Sequence, residues 1–78
     1  MSTPEFRHLL GKCRDAKRGG RDAWGPQSTG EKVAVALVLN RADWLADMGY
    51  TIVEAIDRAG PEWVASMPAI ERLLRDEG

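Results

Sequence analysis

Histidine and cysteine occur once each, as His8 and Cys13, and nucleophilic catalysis would have to be built from them. A Cys–His pair needs sulfur and imidazole within hydrogen-bond reach. Five residues apart on one helix, the two side chains point about 140° apart around the axis. His8 is therefore expected on an exposed helix face. Cys13 falls on an apolar stripe and is expected in the core. Asp43 and Asp47 stand four apart and could share a cation, but two carboxylates are a poor site for a hard cation that wants more oxygen ligands. Gly19-Gly20 and Gly30 fit neither a Walker loop nor a dinucleotide fingerprint. The pattern predicts no enzyme, no cofactor and no metal.

What remains is binding. Lys12, Arg14, Lys17, Arg18 and Arg21 form a basic set that could neutralise phosphates without sequence preference. Aromatic side chains dominate interface energetics, which makes Trp24, Tyr50 and Trp63 candidate partner-binding anchors, with Met48 beside them. Trp24 has a second reading, because a tryptophan in a loop can fold back as a lid on the core. Residues 51–68 fit a helix-turn-helix only superficially. The segment that would enter a groove, Pro61 to Pro68, contains no Lys, Arg, Asn or Gln. It therefore lacks the groups that read bases and grip phosphates.

These residues must be positioned by helices. Ser28 and Glu31 have capping-box spacing ahead of the apolar run Val33–Leu39. Gly49 is a fitting residue just past a helix end. The spacing predicts a central helix over 30–48, about 28 Å long. A buried strand at 33–39 is the rival reading. Upstream, either Ser2 with Glu5 or Thr3 with Pro4 starts a helix over 3–17, with Phe6, Leu9, Leu10, Cys13 and Ala16 on one stripe. Residues 17–28, rich in Gly and basic side chains, read as a linker. Thr51 and Glu54 open a third helix, 52–59, with Ile52, Val53, Ala55, Ile56 and Ala59 placed for burial and Gly60-Pro61 ending it. Residues 61–65 read as a short turn. Ser66 then caps a last helix over 67–76, with Ile70, Leu73 and Leu74 inward. The expected fold is all-α: a single domain over 1–78, a small bundle of about four helices packed around 30–48.

A chain of 78 residues has room for one core. At this size only about 60% of the unfolded surface is buried, so help from a partner or a second copy is expected. One cysteine rules out an intrachain disulfide. Residues 1–5 lack the basic and apolar regions of a secretory signal, and the longest uncharged apolar run is far short of a membrane span. A cytoplasmic chain with no membrane partner is expected. The net charge of −1 hides an asymmetry. Residues 1–32 carry seven basic and four acidic side chains, whereas 33–78 carry four and eight.

Leu45-Ala-Asp-Met-Gly-Tyr50, followed by Ala69-Ile-Glu-Arg-Leu-Leu74, resembles the Met-Gly-Phe/Tyr loop and closing Leu-Leu helix of ubiquitin-associated domains. The resemblance covers roughly thirty residues, at a similar loop-to-Leu-pair distance. It implies a compact three-helix C-terminal half and a ubiquitin-binding surface made of Met48, Gly49, Tyr50, Leu73 and Leu74. Asp57 and Arg58 depart from it, standing where small or apolar residues are usual, and Pro61 and Pro68 are extra.

The function these features predict is a non-catalytic protein–protein interaction module, a small regulatory or inhibitory adaptor of the kind common among phage and mobile-element accessory proteins. Self-association is compatible with it. Its surface would join the acidic C-terminal half to exposed apolar anchors. The alternatives are non-specific nucleic-acid binding through residues 12–21 and a ubiquitin-binding bundle.

Overall fold

In the computed structural model, which describes residues 3–77, Ser28 caps the central helix as expected. The Glu31 amide donates to Ser28 Oγ at 3.3 Å, and the Ser28 amide donates to Glu31 Oε1 at 3.0 Å. Six helices run through the described residues. They are α1 (Pro4–Gly19), α2 (Arg21–Trp24), α3 (Thr29–Val38), α4 (Ala42–Asp47), α5 (Ile52–Ala59) and α6 (Pro61–Asp76). The fold is thus the expected all-α bundle, with the central helix divided in two and the last helix longer than the spacing suggested. The run at 33–38 is helical, so the strand reading is discarded.

Val33, Ala34, Val35, Ala36 and Val38 are all buried, and α1, α4, α5 and α6 pack around them. One contiguous core results, completed by Leu9, Leu10, Cys13 and Ala16 of α1, Trp24, Trp44, Leu45, Ala55, Ile70 and Leu74. The α1 stripe is as predicted. Thr3 provides its cap, accepting from the Phe6 amide at 3.1 Å, with Pro4 in the first turn. The rival cap at Ser2 lies outside the described residues.

The first correction concerns 30–48, which is two helices. The helix stops at Val38 because Asn40 takes a left-handed conformation, φ 58°. The Arg41 amide reaches Ala36 O at 2.8 Å and the Asn40 amide reaches Leu37 O at 3.1 Å. This pair of bonds is a Schellman cap, with Asn in the position usually held by Gly. The motif recurs one helix later. At the end of α4, Tyr50 N bonds Leu45 O at 2.9 Å and Gly49 N bonds Ala46 O at 3.0 Å, with Gly49 at φ 79°. Asn is among the few non-Gly residues that visit this conformation at modest cost. The break turns α4 so that Trp44 and Leu45 both enter the core.

Residues 17–28 are only partly a linker. α1 runs on to Gly19, and Arg21–Trp24 makes a further helical turn. The opposite correction applies to 61–76, which is one helix with Pro68 inside it. Ser66 does not cap anything; its Oγ donates to the Glu62 carbonyl one turn back, at 3.1 Å. An interior proline costs about 3 kcal/mol, because it lacks an amide and crowds the preceding turn. The stripe Trp63, Met67, Ile70, Leu74 packs on the core on both sides of Pro68 and holds the helix through it.

The last correction concerns α5. Its capping box forms, with Thr51 N to Glu54 Oε1 at 2.9 Å and Glu54 N to Thr51 Oγ1 at 3.1 Å. Only Ala55 is fully buried, however, with Ala59 partly so. Among the described residues, no helix is long and apolar enough to cross a membrane.

Candidate functional site

Ile52, Val53 and Ile56, which the spacing places in the core, are instead 50%, 76% and 44% exposed. At about 100° per residue, the apolar residues of α5 cover an arc of roughly 160°. Ala55 and Ala59 lie at one edge of this arc, and Ile56 and Val53 at the other. The helix rests on α3 by its alanine edge, where small side chains permit close approach, and this turns the large edge outward. Charged residues flank the exposed edge. The Glu54 carboxylate is occupied by the cap, and the backbone hydrogen bond from Thr51 holds its pKa below the usual carboxylate range. The Arg58 guanidinium is turned back toward Gly30, at the start of α3. Asp57 stands exposed beside Ile56.

The anchors proposed from sequence are scattered. Trp24 is buried, so of its two readings the lid is the one realised. Its indole Nε1–H donates to the Lys32 carbonyl at 2.8 Å, and its ring stacks on Trp44 with centroids 4.6 Å apart. Lys32 Nζ lies 4.8 Å from the Trp24 centroid, and the Arg41 guanidinium lies 4.6 Å from that of Trp44. Trp63 is half-buried and stacks on His8 at 6.1 Å. Met48 and Tyr50 are half-buried against the core.

The basic set is met largely from within the fold. Arg14 grips Glu77 through Nε and Nη2, and this holds the Glu77 carboxyl below its usual range. Lys17 Nζ donates to the Leu74 carbonyl at 2.5 Å. Arg18 pairs with Asp15 at 3.4 Å. Arg21 leaves the others and pairs with Asp47 and Asp43 on α4. Lys12 lies close enough to Glu31 to favour its ionised form. Arg14, Lys17 and Arg18 do share one surface, but Glu77 sits in the middle of it.

His8 bonds Glu31 at 2.5 Å, which ties α1 to α3. Cys13 is buried, and desolvation pushes its thiol up to about 12, so it stays protonated at neutral pH. Asp43 is held down at about 2 by the fork of hydrogen bonds from Arg41. No group of three or more His, Cys, Asp or Glu side chains among the described residues is placed to hold a metal ion.

Of the residues carried over from ubiquitin-associated domains, Leu74 is buried against the core and Leu73 is 40% exposed. Met48 and Tyr50 remain partly accessible, and Gly49 is exposed. No protein-family model, curated protein or solved structure matches the chain.

Proposed function

We propose that this chain is a non-catalytic protein-interaction module, a small regulatory adaptor, and that it binds its partner through the outer face of α5. One observation carries the reading. Of the four large hydrophobic side chains exposed among the described residues, three sit side by side on this eight-residue helix. An apolar cluster left uncovered on a small soluble domain is a recurrent mark of an interaction site. Helix faces of this kind serve as anchors in grooves of partner proteins. The acidic side chains Glu54 and Asp57, with Arg58 drawn away, favour a partner whose apolar groove is rimmed by Lys or Arg. A free, protonated, buried thiol is compatible with a reducing cytoplasm.

The test compares the wild-type chain with Val53→Glu/Ile56→Glu in affinity capture from the native host, with and without nuclease. Both positions are solvent-facing, so circular dichroism should show the variant folded. A stoichiometric protein captured by the wild type and lost from the variant supports the reading. Equal capture by both sinks it. Material that disappears with nuclease, and with Arg14→Ala/Lys17→Ala/Arg18→Ala, would make the basic set the functional surface instead.

A further inference from the structure

A second surface lies where the first turns of α1 and α6 meet the end of α5. It is a pocket of about 380 Å³. Ala59, Gly60 and Pro61 form an apolar wall, Trp63 lines it beside them, and Glu5 and Glu62 supply the polar groups. Pro61 and both glutamates are exposed, and Ala59, Gly60 and Trp63 are partly so. Every lining residue is therefore within reach of a visiting group. None of Ile52, Val53 and Ile56 lines it.

Neither the charge nor the ring is engaged by the fold. No basic side chain lines the pocket. None of the ion pairs among the described residues uses Glu5 or Glu62. Arg58 of α5 is turned away toward Gly30. Each glutamate stands in the first turn of its helix, where the helix end contributes about half a positive charge. Two carboxylates against two such ends leave about one net negative charge, the match of a single cation. The other two tryptophans already hold cations from the fold: Lys32 and Arg21 beside Trp24, and Arg41 and Arg21 beside Trp44. Among the described residues no Lys or Arg stands over Trp63. Its ring is propped by His8, parallel to within 13°, and His8 is itself held by Glu31. The indole is thus set in place before anything binds. We infer that this pocket receives an arginine side chain of a partner protein, its guanidinium against the Trp63 indole and its N–H groups on the Glu5 and Glu62 carboxylates.

Arginine fits better than lysine on two counts. A planar guanidinium stacks on an aromatic ring. It also carries five N–H donors in a fixed fork, enough to serve carboxylates from two helices at once. The volume is at the low end for ligand pockets, which suits one side chain. A nucleic acid is disfavoured, since its phosphates would meet two carboxylates.

The test is selection of a random peptide library displayed on phage against the immobilised full chain, followed by binding titrations of the selected peptides. The expected sequences share an arginine. Replacing it with citrulline, its neutral isostere, should weaken binding by about tenfold, because charge is lost toward the ring and both carboxylates. Glu5→Gln and Glu62→Gln should each weaken it by about fivefold, the scale of one exposed ion pair. Both side chains are exposed, so circular dichroism should show both variants folded. In an NMR titration the Trp63 indole N–H should shift, and those of the buried Trp24 and Trp44 should not. Val53→Glu/Ile56→Glu should leave the affinity of these peptides unchanged, which separates this inference from the α5 reading. A selection without arginine-dependent peptides, affinity indifferent to Glu5→Gln/Glu62→Gln, or a Trp63 resonance that stays in place would overturn it. Spermidine binding as tightly as the peptides would make a free polyamine the occupant and overturn it. Concentration-dependent dimerisation abolished by Glu5→Gln/Glu62→Gln would make a second copy the occupant and overturn it equally.

Discussion

α3 and α5 are alike as sequences and opposite as surfaces. Both begin with a capping box that forms as the spacing dictates. Both are rich in β-branched apolar residues. Yet α3 is buried on nearly every side, whereas α5 shows three large side chains to solvent. The difference is not in local chemistry but in neighbours. α1, α4, α5 and α6 all pack on α3. α5 lies at the edge of the bundle, and its alanines are the residues that fit against α3. An amphipathic helix states which residues are apolar. How much of that arc is covered depends on how many helices arrive.

The sharpest way to break the comparison is to put the same change on each helix. Val35→Asp places a charge in a fully buried position, and the cost of an unpaired buried charge exceeds what a domain this small can lose. It should unfold the chain, seen as loss of helical circular dichroism. Val53→Asp should stay within about 0.5 kcal/mol of wild type in urea unfolding. If Val53→Asp also unfolds the protein, α5 is covered in solution and the proposed surface is wrong.

A smaller contrast lies between two tryptophans proposed as anchors. Trp24→Ala removes a buried, stacked and hydrogen-bonded indole and should cost about 3–5 kcal/mol. Trp63→Ala, at a half-buried site, should cost clearly less in the same urea titration. Equal losses would mean that Trp63 is as much a part of the core as Trp24.

The Asn40 turn lets α4 fold back, so that Trp44 and Leu45 help cover α3. Asn40→Ala should cost about 1–2 kcal/mol, the penalty of a left-handed conformation for a residue with a Cβ and no helpful side chain. Asn40→Gly should hold or raise the urea midpoint. A neutral Asn40→Ala would indicate that the helix straightens across residue 40 at no cost.

The smallest effect is in acid. Asp43, Glu31, Glu54 and Glu77 all lie below their usual values, Asp43 at about 2 against 3.8, held there chiefly by hydrogen bonds from Arg41, Ser28, Thr51 and Arg14 respectively. Each binds its proton less readily folded than unfolded. Their contribution to stability is therefore complete above about pH 4.5 and lost as pH falls toward 2. The urea midpoint should be flat from pH 7 to 5 and decline below that. Asp43→Asn should flatten the lower part of the decline, and an unchanged curve would mean that the Arg41–Asp43 fork does not persist in solution.

Much of the candidate surface was hidden from sequence reasoning for one reason. The spacing places Ile52, Val53 and Ile56 in the core, because apolar residues on a short capped helix usually are. The signal in the sequence is the width of the arc, about 160°, broad for a two-turn helix at the edge of a bundle to bury whole. Conversely, Trp24 lies in a Gly-rich segment that gives no period to place it, so the sequence leaves both a lid and an anchor open. Only its hydrogen bond to Lys32 and stack on Trp44 show it as core.

What the chain determined locally was every feature closed within a few residues. These are the caps at Thr3, Ser28 and Thr51, the stop after Met48 at Gly49, the α1 stripe and the all-helical class. Each depends on bonds between near neighbours, so residue type and spacing suffice. Tertiary packing decided the rest. Asn40 could have sat in a straight helix, and Pro68 could have ended one. Asn40 turns the chain so that Trp44 and Leu45 gain the core, and Pro68 is carried through because Trp63, Met67, Ile70 and Leu74 hold α6 against the core on both sides. In both places a local preference of about 1–3 kcal/mol is outweighed by the burial of several large side chains, each contributing about 1.5–3 kcal/mol. That balance is set by partners distant in sequence, and so only the folded arrangement could decide it.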